Sequence, residues 1–179
     1  MVTIKERLLE TTKILNIFYL IMTPTNQLED KKLILSFFFF VGGGNFLDQD
    51  LKLLFGKLLY GSKFHSRRQS RGQQGIGISA AGLYAQMTTG KGPEIISRVK
   101  RKKAHHFVLQ MDSTKNKPMI TRDEELADWH LKHGTRFTAT IEATYKRGKG
   151  SVDDYIKQTA VANPHATLTY LAPGMDEPV

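Results

Sequence analysis

The chain has 179 residues, of which 40% are hydrophobic and 24% charged, and a formal net charge of +9. That length suits one domain with a buried core, and the balance excludes wholesale disorder. With no cysteine, a disulfide framework and a thiolate metal site are excluded and an intracellular location is the simpler expectation, while the excess of cations favours polyanionic company such as nucleic acid, nucleotides or acidic head groups.

Two apolar runs near the start, "KILNIFYLIM" and "KKLILSFFFFV", fall short of the ~20 residues that span a bilayer, and neither reads as a membrane anchor. Ile4, Leu8, Leu15, Phe18 and Met22 recur at helical spacing and Pro24 closes the segment, which predicts an amphipathic helix over residues 4–22. Residues 32–41, "KLILSFFFFV", are continuously apolar before three glycines and predict a strand buried on both faces. Four consecutive phenylalanines make that strand an aggregation hazard without its cover. The stretch "LDQDLKLLFGKLLYGSKFH" predicts a short helix running into a basic loop, and residues 78–89 a second helix capped by Gly90.

Downstream, "EIISRV", "HHFVLQM", "TRFTATIEA" and "ATLTYL" carry the β-branched and aromatic enrichment of strands, with "DSTKNKP" as a turn. "SVDDYIKQTAVA" predicts a helix with Ser151 as N-cap and Asp154 in the capping-box position, ended before Pro164. Helix, strand, helix, loop, helix and then mostly strands add up to an α+β fold, a two-layer sandwich with helices on one face of the sheet.

The chemistry-bearing stretch is "SRRQSRGQQGIGISAAGLYAQMTTGKG", in which Gly72, Gly75 and Gly77 lie between a basic loop and the first turn of a helix. Glycines let the backbone approach a ligand closely, and the unpaired amides and positive dipole end of a helix start suit a phosphate chain. The plainer alternative is a tight loop whose glycines only permit positive φ. Known users of glycine loops fit badly: a Rossmann fingerprint needs a strand where "KFHSRRQSR" stands, a Walker A loop needs Ser or Thr after Gly90-Lys91, and a kinase loop needs a strand where a helix follows.

The residues "FGKLLYGSKFHSRRQSRGQQGIGISAAGLYAQMTTGKGPEIIS" resemble the ATP-lid region of B subunits of archaeal-type DNA topoisomerase VI, within the GHKL ATPase superfamily. The resemblance continues through "WHLKHGTRFTATIEATYKRG" and "SVDDYIKQTAVANPHATLTYLAPG", and so covers about residues 47–174. It implies a Bergerat fold, helices on one face of a mixed β-sheet, with ATP and Mg2+ as cofactors. It also implies as partners an A subunit, a second B subunit joined on ATP binding and double-stranded DNA, and no membrane. By the same resemblance Ser62 and Lys63 belong to the lid, Gly72, Gln73, Gln74, Gly75, Ile76, Gly77, Ile78 and Ser79 wrap the triphosphate, and Thr135 in "HGT" sits near the adenine.

The pattern departs from that family in three places. No segment of residues 1–40 matches the helix that carries the water-activating glutamate and the magnesium-holding asparagine: Glu6, Glu10 and Asn16 have the wrong spacing, so neither a catalytic residue nor a metal ligand is assigned. The adenine-reading D-x-G-x-G box falls on Val41 to Asn45, where "VGGGN" stands. Gly43 is kept, but valine accepts no hydrogen bond from adenine, a loss of about 1–3 kcal/mol. The helical module and transducer expected after residue 179 are not in the sequence. The expected organisation is therefore an unmatched segment 1–40 followed by an incomplete ATP-binding domain over residues 41–179, binding ATP weakly and hydrolysing it poorly. The competing expectation is a non-enzymatic basic module that holds nucleic acid or protein on the same scaffold.

Other clusters read as structural. "SRVKRKKAHH" is expected to be a solvated hairpin turn rather than a DNA contact. His130 and His133 lack a nearby carboxylate to complete a metal triad. Asp123, Glu124, Glu125 and Asp128 are expected to be a solvated loop, and no Ser-His-Asp or Cys-His arrangement is present.

Overall fold

A computed structural model describes residues 17–24, 32–39, 48–59, 74–99, 101–164 and 166–179. Seven strands, β1 (Ile17–Pro24), β2 (Lys32–Phe39), β3 (Glu94–Arg98), β4 (Ala104–Asp112), β5 (Lys117–Leu126), β6 (Gly134–Glu142) and β7 (Thr167–Leu171), form one sheet in the order β5-β4-β3-β6-β2-β1-β7. All neighbours pair antiparallel except β1 and β7, which are parallel, so the sheet is mixed as expected. Among the described residues three helices accompany it: α1 (Asp48–Gly56), α2 (Gly77–Thr89) and α3 (Val152–Ala162).

One face of the sheet is closed by α1 and α2. Phe55 from α1, Ala85 from α2, and Ile95, Phe107, Leu109, Phe137 and Ala139 from β3, β4 and β6 make the main core cluster. Phe55 and Phe137 stack with ring centroids 5.6 Å apart, an aromatic pair that adds to the area each ring buries. The strand residues alternate as a sheet requires, so Ile95 and Ser97 share the helix side while Ile96 and Arg98 point the other way. That other side has buried residues of its own, Ile96, Ala104, His106, Trp129 and Leu131, none of which joins the helix-side cluster.

Local chemistry accounts for the element ends. Gly90 closes α2 in the left-handed conformation (φ 71), its N–H donating to the carbonyl of Gln86 at 2.9 Å. Ser151 caps α3 by accepting from the Asp154 amide at 3.3 Å, and the Asp154 carboxylate accepts from the Gly150 amide at 3.1 Å, one residue earlier than a capping box requires. Glycine is required at residue 92 by close approach, because a Cβ there would run into the carbonyl oxygen of Leu109.

Two expectations are corrected. Residues 17–22, assigned to the amphipathic helix, belong to β1; residues 4–16 lie outside the described residues. The run "IFYLIMTP" is apolar almost throughout, so matches at helical spacing carry no information in it, and its aromatic and β-branched content suits the pleat. The acidic stretch read as a solvated loop is mostly strand: Asp123, Glu124 and Glu125 lie on β5 and only Asp128 falls beyond it. As an edge strand β5 has no apolar alternation to betray it, and its carboxylates meet cations instead, Lys52–Asp123 at 2.6 Å and Lys103–Glu125 at 2.6 Å. The strand expected at 32–41 is present as β2, although burial of its two faces lies outside the described side chains. The basic stretch at 97–106 is the β3–β4 hairpin, with the Lys102 amide donating to the Val99 carbonyl at 3.0 Å.

Candidate functional site

The described part of the glycine motif runs from Gln74 to Ser79; Ser62, Lys63, Gly72 and Gln73 lie outside the described residues, as do Val41 to Asn45. Gly75 takes φ 68, a conformation that side chains resist, and it turns the chain into α2. Ile76 stands at the N-cap with φ −108 and ψ −15, and it has no side-chain oxygen to cap the helix. The first intrahelical bond is from the Ala80 amide to the Ile76 carbonyl at 2.8 Å, so the amides of Gly77, Ile78 and Ser79 precede the helical ladder and have no acceptor within it.

Space and anchoring differ along this turn. A Cβ built on Gly77 meets nothing within 4 Å, which leaves room in front of the helix start among the described residues. Ile78 packs on the main core cluster and fixes the direction of that start. Ser79 is fully buried, and its hydroxyl donates to the Ile76 carbonyl at 3.1 Å. Its side chain is thus spent on the helix.

Thr135 sits at the beginning of β6 on the helix side of the sheet, 8% exposed, with its hydroxyl 2.9 Å from that of Ser97. Among the described residues Thr135 pairs with Ser97 and not with a residue of the glycine turn. The preceding Gly134 has φ 131, outside the range a side chain favours, and its carbonyl accepts from the Ser97 hydroxyl at 3.4 Å. In "HGT" the glycine therefore lets the chain swing into β6, and the threonine closes a buried hydroxyl pair. Ser97 is the partner that sequence reading missed, because only the β3–β6 register, Ser97 opposite Thr135, brings them together.

His130 and His133 lie in an irregular segment rather than on one helix face, and among the described residues no cluster of His, Asp and Glu could hold a metal ion. Burial, assisted by the nearby Arg136 guanidinium, pushes the His130 imidazole below its usual range. No helix among the described residues is long and apolar enough to cross a membrane.

These elements define an α+β domain in which a glycine-led helix start opens beside a mixed sheet. No protein-family model matches the chain. It is 45% identical over 139 residues to the B subunit of the type 2 DNA topoisomerase 6 of Methanosarcina barkeri, an alignment covering 76% of this chain and 22% of the relative. The corresponding protein of Archaeoglobus fulgidus is 47% identical over 127 residues, covering 70% and 21%. That of Natronomonas pharaonis is 46% identical over 132 residues, covering 73% and 16%. Over 70–76% of its length the chain is thus similar to topoisomerase 6 B subunits, and it spans at most 22% of the length of these curated relatives.

Proposed function

We propose that this chain carries the nucleotide-binding part of a type IIB topoisomerase B subunit on a GHKL-type fold, and that it binds ATP weakly and turns it over poorly. The observation that carries the reading is the start of α2: amides ahead of the helical ladder, an N-cap without its own acceptor, and open space in front of Gly77. Such an arrangement favours an anionic phosphate chain through both hydrogen bonding and the helix dipole. Residues Gly72 to Ser79 would hold the triphosphate, Ser62 and Lys63 would cover it, and Thr135 would stand on the adenine side.

ATP supplies the phosphoryl group of the family's reaction; what this chain contributes is binding and orientation. Among the described residues no group of three or more His, Asp or Glu could hold a metal ion, and no step is assigned to magnesium. Val41, where the family has an adenine-reading aspartate, removes a contact of about 1–3 kcal/mol, equivalent to roughly 5- to 150-fold in affinity. The relatives' name implies an A subunit and DNA as partners; a second B subunit, a duplex as the form of the DNA and an intracellular setting belong to this reading. The charge of +9 supports a second reading, a non-enzymatic basic module for nucleic acid or protein.

Calorimetric titration with magnesium-ATP and a phosphate-release assay separate these readings. Saturable binding of ATP with negligible turnover is expected. Robust turnover would overturn the weak-enzyme reading, and protection by DNA alone with no ATP binding would favour the basic module.

A further inference from the structure

Between the β3–β4 turn and the irregular segment 127–133 lies a cavity of about 430 Å³ lined by Arg98, Arg101, Lys132 and His133. Arg98 fastens the two walls together: its Nε donates to the Lys102 carbonyl at 2.9 Å, and its Nη1 to the carbonyls of Trp129 at 3.1 Å and Leu131 at 3.4 Å. Those bonds use Nε and Nη1 and leave Nη2 without a partner among the described residues. Behind the second wall, Trp129 and Leu131 are buried, so the segment is held against the sheet rather than draped over it.

Charge compensation stops at this cavity. Around β5, Lys52 from α1, Lys103 from the β3–β4 turn and Arg122 on β5 itself each meet a carboxylate of that strand, Asp123, Glu125 and Glu124, at 2.6, 2.6 and 2.8 Å. Arg101 and Lys132 are both exposed and have no carboxylate partner among the described residues. Arg101 is also held at φ 67, a costly conformation for an arginine, which fixes where its side chain departs from the turn. Arg98 lies on the face of the sheet opposite Ser97 and Thr135, so the cavity is separate from the helix side where α2 begins.

We propose that this cavity is a second anion site that takes a phosphate group, carried either by a small phosphorylated molecule or by the backbone of a nucleic acid. The guanidinium Nη2 of Arg98 offers a fixed donor. Arg101 adds a second planar fork and Lys132 a mobile point charge, the combination that phosphate oxygens bind through charge-assisted hydrogen bonds. The volume exceeds a bare phosphate and leaves room for the group it esterifies.

The test is titration of the full chain with inorganic phosphate, followed by amide NMR shifts, against sodium chloride of equal ionic strength. Saturable shifts at residues 99–103 and 128–134 are expected, distinct from those of phosphate at the α2 start, and the Arg101→Ala/Lys132→Ala variant should lose about tenfold or more in affinity at the cavity, as removal of two charge-assisted contacts implies. Both side chains are exposed and make no bond among the described residues, so an unchanged Tm checks that the variant folds. Gly77→Ala should bind phosphate at this cavity as the parent does, which keeps failure here distinct from failure of the nucleotide reading. A short DNA duplex that displaces the phosphate identifies a nucleic-acid backbone as the source, and one that does not identifies a small phosphorylated ligand. Shifts that chloride reproduces, or a double variant that binds phosphate as well as the parent, overturn the proposal.

Discussion

Replacing Gly77 by alanine sets folding and nucleotide binding against each other. Gly77 is the first residue of α2, it is absent from the positive-φ glycines, and a Cβ there meets nothing within 4 Å. In the free protein the change should therefore be neutral or stabilising, by about 0.4–1 kcal/mol, as for other glycine-to-alanine changes at compatible sites. With a triphosphate lying on the Gly77 to Ser79 amides, the same methyl group occupies the space the phosphates need. At ten times its Kd, ATP stabilises the parent by about 1.4 kcal/mol, or roughly 3–6 °C in Tm for a chain of this size. A tenfold loss of affinity in Gly77→Ala lowers that gain to about 0.4 kcal/mol, near 1 °C. Thermal unfolding with and without magnesium-ATP reads both effects in one experiment. A variant that keeps the whole ATP shift over the same dose range would show that the phosphates do not approach these amides, and the proposed site would be refuted.

Three further outcomes follow from the packing. Gly92→Ala should destabilise the chain by roughly 2 kcal/mol or more in urea unfolding, because its Cβ would meet the Leu109 carbonyl, and backbone cannot swing aside as a side chain can. Phe137→Ala, which removes a fully buried ring stacked on Phe55, should cost about 3–5 kcal/mol by the same measurement. Asp153 accepts from the Tyr145 hydroxyl at 2.7 Å and from the Tyr170 hydroxyl at 2.7 Å, and the Tyr145 bond foremost holds its carboxyl below the ordinary 3.8. A depressed carboxylate contributes stability that is present above the unfolded value and lost as pH falls through the folded one. The stability difference between parent and Asp153→Ala, followed by urea unfolding, should hold from neutral pH to about 5 and shrink towards pH 3. A difference that stays constant into acid would show that the carboxylate form is not what the two hydroxyls need.

Most of the fold was legible in the sequence where one local rule acted alone. Gly90 in the left-handed conformation, Ser151 capping α3 and the β-branched runs of β3, β4, β6 and β7 all fall where caps and propensities put them. What failed were segments whose conformation depends on partners distant in sequence. "IFYLIMTP" becomes β1 because β2 and β7 are there to pair with it, Phe18 opposite Phe39 on one side and beside Leu168 on the other. β5 exists because β4 lends it a ladder and Lys52 and Lys103 neutralise its carboxylates, none of which a window of acidic residues reveals. The glycine turn was legible as a helix start, because Gly75 and Gly77 act locally. The Ser97–Thr135 pair was not, because register rather than composition creates it.

On the proposed reading, in which Thr135 stands on the adenine side, the start of β6 joins the two candidate sites through the alternation of the strand. Lys132 and His133 line the basic cavity on one side, and Thr135 turns its buried hydroxyl towards the helix side. Gly134 stands between them, with its carbonyl taking the Ser97 hydroxyl and its φ of 131 allowing the change of direction. On β3 the same division holds, Ser97 serving the hydroxyl pair and Arg98 the cavity. A side chain at Gly134 would have to strain this crossing point, so its effect should reach both sides of the sheet at once. Substitutions at Arg101 or Gly77 act on exposed positions of one side and should leave the other unchanged. Measuring phosphate shifts at the cavity and ATP protection in Gly134→Ala, Arg101→Ala and Gly77→Ala therefore separates a shared backbone support from two independent sites. Loss of both readouts in Gly134→Ala alone is the pattern this geometry requires.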